Sequence, residues 1–174
     1  MAPTMAPTPP LPDEVRVLIK GLLLDPSCNV PIVILRDTDN QLLLPIWIGL
    51  FEANAIALKL EGVETPRPMT HDLLARTLDL LGATVERVLI RDLIESTYYA
   101  SIDLSTKDGS KTLDARPSDA IALALRTGAE IFVHRSVLEK AKASDLATEP
   151  RSDEEKVKKW LEEIGPDDLG KYTM

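Results

Sequence analysis

The chain changes its hydrophobic period within the stretch QLLLPIWIGLFEANAIALKLEG, residues 41–62. Its first half is the short, dense apolar run of a buried strand. Pro45 marks that strand as an edge strand or a bulged one, because proline cannot donate to a ladder. After Gly49 the residues are rich in alanine and leucine without an interior glycine, which predicts a mostly buried helix over residues 52–61. Gly62 ends that helix.

Two further strands are predicted upstream of this stretch. Residues 15–25 alternate between apolar and polar positions before they become continuously apolar, and residues 30–36 form a second apolar run. Turn-forming residues separate the two runs, and a polar turn at 37–40 leads into the strand that contains Pro45. Three consecutive strands joined by short turns predict an antiparallel β-meander.

Helix and hairpin signals alternate downstream. Thr70 is a good N-cap for a helix that runs to about Leu81, and Asp72 in its first turn suits the helix dipole. Asp108-Gly109 is a strong hairpin signal. One stripe of the predicted helix carries Leu73, Leu74, Thr77, Leu78 and Leu81. The other predicted elements are strands over residues 84–95, 97–106, 110–115 and 131–133, and helices over 117–127 and 136–143.

Together these elements predict an α+β fold. Its sheet is mixed or antiparallel, is built from the β-meander and the hairpins, and carries three main packed helices. A C-terminal amphipathic helix is predicted over residues 153–164. Composition divides the chain into a proline-rich tail expected to be disordered (1–13), the folded domain (14–142), and an acidic linker with the C-terminal helix (143–174).

Charge and composition exclude several classes of protein. The 174 residues include 28 acidic and 20 basic ones, giving a net charge of −8, which disfavours binding of nucleic acid over the whole surface. A local basic cleft stays compatible with that charge. Aromatic residues make up 4% of the chain, so we expect an aliphatic core and no aromatic platform for base stacking.

Cysteine content and hydropathy bear on location. Cys28 is the only cysteine, which excludes an intrachain disulfide and a cysteine-rich zinc site. No apolar run approaches the roughly 20 residues of a membrane span. The N-terminus lacks the basic and apolar regions of a secretory signal. We therefore expect a cytoplasmic protein that has no membrane partner.

Two predicted helix starts resemble each other. Residues 67–72 (RPMTHD) precede one helix and residues 116–119 (RPSD) precede another. Each start places an arginine and a proline before a helix that carries an acid in its first turn. Ordinary helix-start chemistry explains such a repeat. Alternatively, the chain contains a duplicated unit whose two helix N-termini converge.

The residues able to carry chemistry concentrate at these two starts. His71 can act as a base, an acid or a metal ligand near neutral pH, and Arg67 can bind a phosphate bidentately. Arg116, Ser118 and Asp119 form the second group, and the N–H groups of either helix start suit an anion. The alternative is that both groups are ordinary capping motifs with a surface salt bridge.

Carboxylates near these starts offer oxygen ligands for Mg²⁺ or Mn²⁺. Two of them bracket the helix predicted over residues 52–61, where an acid on an apolar helix should be paired or terminal. The other histidine, His134, follows a predicted strand and is interpreted as structural. The five acids are Glu52, Glu61, Asp72, Asp92 and Asp119.

Three ordered blocks of the sequence resemble those of a known family. They are LPIWIGLFEANAIALKLEG at residues 44–62, PRPMTHDLL at 66–74 and ARPSDAIALALR at 115–126. In order and spacing they are similar to the hallmark blocks of the bifunctional nuclease (BFN) domain family. The resemblance covers residues 15–141, and residues 160–172 also look like the family's usual C-terminus.

The resemblance implies an α+β fold and a nuclease that acts on both DNA and RNA without strong sequence preference. It supplies no established catalytic residue, so the site has to be argued from chemistry. The positions mapped from the hallmark blocks are Glu52, Glu61, Arg67, Thr70, His71, Asp72, Arg116, Ser118 and Asp119.

Two functions follow as hypotheses. In the first, the protein is a nuclease with His71 as general base or leaving-group acid. Its catalytic residues are His71, Asp72, Asp119 and Glu52, the three carboxylates also being the ligands for Mg²⁺ or Mn²⁺. Phosphate is then bound by Arg67, Arg116, Thr70 and Ser118. In the second, a regulatory or scaffold domain binds a small anion or a protein partner without cleaving it. Amphipathic edge strands also suit a homo-oligomer.

Overall fold

The computed structural model describes residues 10–38 and 42–147, which contain seven strands and four helices. The strands are β1 (Glu14–Leu24), β2 (Pro31–Asp37), β3 (Leu43–Trp47), β4 (Thr84–Ile94), β5 (Thr97–Thr106), β6 (Gly109–Ala115) and β7 (Glu130–His134). The helices are α1 (Leu50–Leu60), α2 (Thr70–Leu80), α3 (Pro117–Thr127) and α4 (Arg135–Ala147). Among these residues, no helix is long and apolar enough to cross a membrane.

The strands form one mixed sheet in the order β3-β2-β1-β7-β4-β5-β6. β1, β2 and β3 pair antiparallel, which confirms the predicted meander, and Pro45 lies in the edge strand β3 as predicted. β4, β5 and β6 form the predicted hairpins. β7 joins the two halves, since it pairs antiparallel with β1 and parallel with β4. The α+β fold class is therefore confirmed.

Helix α3 is the centre of the helical layer. α1 and α2 both pack against it, and α3 itself packs on β4 and β5. Its middle is almost fully buried and consists of small and aliphatic residues, which let neighbouring helices approach closely. These residues are Ala120, Ile121, Ala122, Leu123 and Ala124. The prediction of a mostly buried α1 was wrong, because only Ala53, Ile56 and Ala57 on the face toward α3 are buried.

Helix α2 differs from the sequence prediction at its start and on its outer face. Its N-cap is Met69 rather than Thr70, because the Asp72 carboxylate accepts the Met69 backbone N–H at 2.9 Å and so begins the helix there. His71 is its one buried residue. Three leucines of the predicted stripe face outward, since Leu73, Leu74 and Leu81 are 59%, 41% and 70% exposed, whereas Leu78 packs against the core.

Several predictions concern residues outside the described ranges. They are the disorder of the tail at 1–9, residues 39–40 of the turn predicted at 37–40, and the amphipathic helix at 153–164. The division of the chain at residues 13 and 142 also stays a prediction. Helix α4 reaches Ala147, four residues farther than the helix predicted over residues 136–143.

A partly buried arginine links four strands. Arg87 on β4 donates to Glu14 of β1 at 2.5 Å and to Asp103 of β5 at 2.8 Å. Its guanidinium carbon lies 5.8 Å from the ring centre of Phe132 on β7. Burial opposes the charge, but the two carboxylates outweigh it and raise the pKa of Arg87. No sequence pattern predicted this network, because even Glu14 and Arg87 lie 73 positions apart.

Asp25 holds the turn between β1 and β2. It is 5% exposed and accepts hydrogen bonds from the Ser27 backbone N–H (2.9 Å), the Ser27 hydroxyl (2.6 Å) and Trp47 Nε1 (2.8 Å). Burial alone would raise its pKa. The hydrogen bonds to the charged form outweigh burial and lower the pKa of Asp25 to about 2. The turn is therefore joined to the edge strand β3 through an ionised carboxylate.

We expect Asp25→Asn to lower the free energy of unfolding by roughly 2 kcal/mol near pH 6. Because the folded pKa lies below the ordinary aspartate value, this contribution is fully present above about pH 4 and is lost as the pH falls toward 2. Urea unfolding of both proteins at pH 6 and pH 3 measures it. Asp108→Asn in the exposed β5–β6 turn is the control. A difference between wild type and D25N that does not shrink on acidification would contradict this account.

Candidate functional site

The first turns of three helices meet at one chain of polar contacts. His71 Nε2 of α2 lies 3.0 Å from Asp119 Oδ1 of α3. Asp119 Oδ2 accepts from Arg116 Nε at 2.8 Å, and Arg116 Nη1 lies 2.8 Å from Glu52 Oε1 of α1. We call Glu52, His71, Arg116 and Asp119 the first-turn cluster. The convergence of the starts of α2 and α3, one of the two alternatives for the repeated motif, is confirmed.

Local backbone geometry brings the cluster together. Arg116 is the N-cap of α3, with φ −69° and ψ 145°, and Pro117 is the first helical residue, where its missing N–H costs nothing. This extended N-cap places the Arg116 side chain beside Asp119, three residues on. The Glu52 carboxylate folds back over Gly49, the N-cap of α1, where any Cβ would overlap it. Glycine at position 49 therefore leaves room for this position of the Glu52 carboxylate.

The hydrogen bond to Asp119 selects the tautomer of His71. An ionised carboxylate has no proton to give, so Nε2 carries the proton and Nδ1 of the neutral ring is the basic nitrogen. In the described chain, Arg36 Nε is the one fully buried side-chain nitrogen or oxygen without a partner. His71 Nδ1 has no hydrogen bond there and does not count as fully buried, so it retains some contact with solvent. The His71 side chain as a whole is 11% exposed, so the ring is largely buried.

Asp119 is kept ionised by its neighbours. Burial opposes its charge, but the hydrogen bonds and charges of Arg116 and His71 outweigh burial and hold the pKa of Asp119 below its ordinary value. The Arg116 side chain is 65% exposed, and the hydrogen bonds of Asp119 and Glu52 raise its pKa. Within the described residues its Nη2 group has no partner. The cluster therefore presents a guanidinium edge to solvent.

A second ion pair, which the sequence did not reveal, supports the cluster. Arg126 of α3 is 5% exposed and donates to Asp72 Oδ1 at 2.6 Å, to the Ala122 carbonyl at 2.8 Å and to the Ala55 carbonyl of α1 at 3.0 Å. Burial opposes the charge of Asp72, but the Met69 N–H and Arg126 outweigh it and lower its pKa. The one sequence feature that could have indicated this ion pair is a single arginine in the last turn of an otherwise apolar helix. Arg126 thereby fixes the start of α2, which carries His71.

Besides Asp72, five of the candidate site residues singled out from the sequence lie outside the first-turn cluster. Arg67 and Thr70 are exposed and Ser118 is buried, and within the described residues no hydrogen bond or ion pair joins any of these three side chains to the cluster. Glu61 is exposed at the C-cap of α1. Asp92 on β4 pairs with Lys140 of α4 at 2.5 Å.

The expected metal ligands do not converge. Within residues 10–38 and 42–147, no group of three His, Cys, Asp or Glu side chains is arranged to hold a metal ion. Glu52 and Asp119 share the cation of Arg116, and Asp72 pairs with Arg126 instead of joining them. As arranged, these carboxylates do not fit a common Mg²⁺ or Mn²⁺ site, and we assign no chemical step to a metal.

The arrangement suits an anion despite its carboxylates. With His71 neutral, the charges of Glu52, Arg116 and Asp119 sum to −1. The N-terminal ends of α1, α2 and α3 converge on the same place, and each carries a partial positive charge and free N–H groups. Arg116 presents a free guanidinium edge that can bind a phosphate oxygen, and a neutral His71 carries a basic nitrogen that can accept a proton from water.

Comparison with known proteins extends the resemblance found in the sequence. The family model described as the bifunctional nuclease domain matches residues 33–145, which include every member of the first-turn cluster. An uncharacterized protein of Mycobacterium tuberculosis (strain H37Rv) is 42% identical over 164 residues, covering 90% of this chain and 97% of the relative.

Similar plant proteins carry a functional name. Bifunctional nuclease 2 of Oryza sativa subsp. japonica is 33% identical over 123 residues, covering 68% of this chain and 38% of the rice protein. Bifunctional nuclease 1 of Arabidopsis thaliana is 28% identical over 118 residues, covering 66% of this chain and 36% of the relative. The similarity therefore spans one part of each longer plant protein.

We expect Arg126→Met to lower the free energy of unfolding by roughly 3–5 kcal/mol, because it leaves the Asp72 carboxylate without its cation. Adding Asp72→Asn should restore part of that loss. Arg91→Met is the matched control, since Arg91 pairs with Asp114 at 2.6 Å on the surface and should cost at most about 1 kcal/mol. Urea denaturation measures all four proteins. Equal losses for R126M and R91M would contradict a supporting role for Arg126.

Proposed function

The chain belongs to the bifunctional nuclease domain family, and we propose that it is a nuclease that hydrolyses phosphodiester bonds at the first-turn cluster. The observation that carries the proposal is the His71–Asp119 pair, whose carboxylate also binds the exposed Arg116. The plant relatives named bifunctional nucleases support it. The cluster lies wholly inside the matched residues.

His71 acts as the general base in the proposed step. A water oxygen attacks phosphorus while one of its protons passes to His71 Nδ1. The bond from phosphorus to the leaving oxygen breaks, and that oxygen takes a proton from solvent. The products are a phosphomonoester and an alcohol. Asp119 keeps the ring in the required tautomer and stabilises the imidazolium that forms, as a carboxylate does in other histidine pairs.

Arg116 stabilises the charge that develops on the phosphoryl oxygens. Its guanidinium already spans Asp119 and Glu52, so its position is set before the substrate arrives. Arg67 is exposed on the segment leading into α2, where it can hold a flanking phosphate. Thr70 and Ser118, also expected to bind phosphate, are assigned no contact in this scheme.

The proposed substrates are DNA and RNA with little sequence preference. The cluster offers groups for phosphate and water but no planar pair of donors and acceptors for a base edge, so it reads the backbone rather than the sequence. The net charge of −8 predicts weak, salt-sensitive binding confined to this site. We further propose a cytoplasmic location, where such substrates are available.

A binding function is the second candidate, and one observation favours it. Every carboxylate of the cluster is already paired with Arg116 or His71. The same arrangement is expected of residues that only hold three helices together. The same arginines and helix starts would then hold a small anion or a protein partner without cleavage. Turnover assays on labelled single-stranded DNA and RNA separate the two functions.

Replacement of His71 is the first test of the nuclease. We expect His71→Ala and Asp119→Asn each to lower kcat by about 10²–10⁴-fold, since the first removes the base and the second favours the wrong tautomer. The control is His134→Ala, because the other histidine bonds Ser136 at the end of β7, away from the cluster. Nuclease activity that survives both H71A and D119N would contradict the proposal.

Metal removal is the second test. A base-assisted step needs no ion, so protein treated with EDTA should keep measurable turnover on single-stranded RNA. The dependence on Mg²⁺ or Mn²⁺ expected from the sequence predicts the opposite result. Activity that EDTA abolishes and Mn²⁺ restores would overturn the metal-free step and return Glu52, Asp72 and Asp119 to the role of ligands.

A further inference from the structure

Four apolar residues are buried on the outer face of the sheet. We call Leu23, Ile32, Ile34 and Phe132 the outer-face cluster. They are 6%, 0%, 0% and 0% exposed in that order, yet none of them belongs to the main core, which contains the intervening residues of β2. Successive residues of a strand point to opposite faces, so Ile32 and Ile34 point away from that core.

Strand pairing places the cluster on one continuous surface of β7, β1 and β2. Phe132 lies opposite Arg16 of β1, and Leu18, two residues after Arg16, lies opposite Arg36 of β2. Arg36 shares its face of β2 with Ile34. Because opposite residues of an antiparallel pair point to the same side, all five belong to one surface.

The described helices lie on the other side of Ile32 and Ile34. All four helices contribute residues to the main core or pack against it. Helix α1 packs on β2, and its buried residues belong to that core. Helix α1 therefore lies on the face of β2 opposite the outer-face cluster.

Neighbours within the sheet do not explain complete burial. Leu18 and Leu43 lie opposite Arg36 on the outer face, and they are 46% and 37% exposed. Arg87 lies over the Phe132 ring and covers part of it. A fully buried residue touches roughly 6–12 others, and one layer of strands supplies too few. The cover of the outer-face cluster therefore includes residues outside the described ranges.

One of the three segments outside those ranges has a suitable apolar face. Residues 39–41 (DNQ) are polar, and residues 1–9 (MAPTMAPTP) contain two methionines and three prolines. Residues 148–174 contain four large apolar side chains at the spacing of one helix face. These are Val157, Trp160, Leu161 and Ile164.

The end of α4 lets this segment reach the outer-face cluster. Helix α4 follows β7 directly and ends at Ala147. Strand β2 is two strands away from β7, which is about 10 Å at the usual strand spacing. The residues from 148 to 156 can span up to about 30 Å. Val157 can therefore lie over any strand of the meander.

Charges on the outer face suit an acidic segment. Arg36 Nε is fully buried without a hydrogen-bond partner, and the Arg16 side chain is 46% exposed. Residues 148–174 contain eight acidic and five basic residues. A buried donor without a partner costs free energy, and a carboxylate brought beside the Arg36 guanidinium offsets part of that cost.

We propose that residues 153–164 form a helix that packs across the outer face of β1 and β2. Its apolar side, which contains Trp160, covers the outer-face cluster, so the sheet carries an apolar layer on each face. The first-turn cluster belongs to the helices of the main core, on the opposite face. The inference is therefore independent of the proposed nuclease activity.

The fluorescence of Trp160 tests the docking directly. Trp47→Phe leaves Trp160 as the one tryptophan of the full-length chain. We expect its emission at shorter wavelength, and its quenching by acrylamide weaker, than in the same protein unfolded in urea, because the indole packs on apolar side chains. The control W47F/K159W/W160F moves the indole to the outer side of the helix. Emission and quenching of Trp160 equal to those of the unfolded protein would overturn the proposal.

Truncation of Trp160 tests its contribution to folding. Trp160→Ala should lower the urea midpoint several times more than Lys159→Ala, because only the first removes cover from the outer-face cluster. A chain that begins at Pro10 should keep the wild-type midpoint. Equal shifts for W160A and K159A, or a loss confined to the chain that begins at Pro10, would contradict a C-terminal cover.

A double-mutant cycle tests where the helix lies. Ile34→Ala and Trp160→Ala together should lower the midpoint by less than the two single shifts combined, because the side chains share one contact. Ile56→Ala is the matched control, since Ile56 is equally buried but lies in the main core, and it should combine additively with W160A. If an alanine variant fails to fold, Ile→Val replaces it at both positions. Additive shifts for I34A and W160A would place the segment elsewhere and overturn the proposal.

Discussion

The hydrogen-bonded chain from His71 through Asp119 and Arg116 to Glu52 is the interaction on which the site depends. It links the first turns of α2, α3 and α1, and it holds together residues that are up to 67 positions apart in sequence. Each member sets the state of the next. Arg116 keeps Asp119 ionised, and the ionised Asp119 keeps the proton of His71 on Nε2. The placement of the basic nitrogen at Nδ1 therefore depends on the whole series of hydrogen bonds.

The energies of the ion pairs distinguish the first-turn cluster from the contacts that stabilise the fold. Arg116 is 65% exposed, and pairs made by exposed side chains contribute about 0–1 kcal/mol. Arg126 is 5% exposed, and removing one partner of a buried pair costs about 3–5 kcal/mol. The arginine that stabilises the helices therefore lies behind the site. Arg116, which contributes little to stability, lies where a substrate can reach it, as expected of a residue held for chemistry.

The sequence predicted local features well and long-range geometry only in part. Hydrophobic periodicity predicted the strands of the meander and the helices. Pro45 indicated the edge strand and Asp108-Gly109 a hairpin. These signals act over a few residues, so the sequence is enough to read them. The repeated helix starts at residues 67–72 and 116–119 gave convergence of the two helix N-termini only as one of two alternatives, since spacing along the chain does not give distance in space. Arg126 and Arg87 escaped prediction because their partners are set by packing. The metal hypothesis placed Asp72 with Glu52 and Asp119, whereas Arg126 draws Asp72 into a different pair.

The tautomer of His71 tests this account most directly. Two-dimensional ¹⁵N–¹H spectra of the imidazole, recorded at about pH 8.5 where an ordinary histidine is neutral, identify which nitrogen carries the proton. The account predicts that His71 carries it on Nε2 in the wild-type protein, with Nδ1 unprotonated, and that Asp119→Asn moves it to Nδ1. A wild-type ring protonated on Nδ1 would contradict the proposed base, whatever the activity measured.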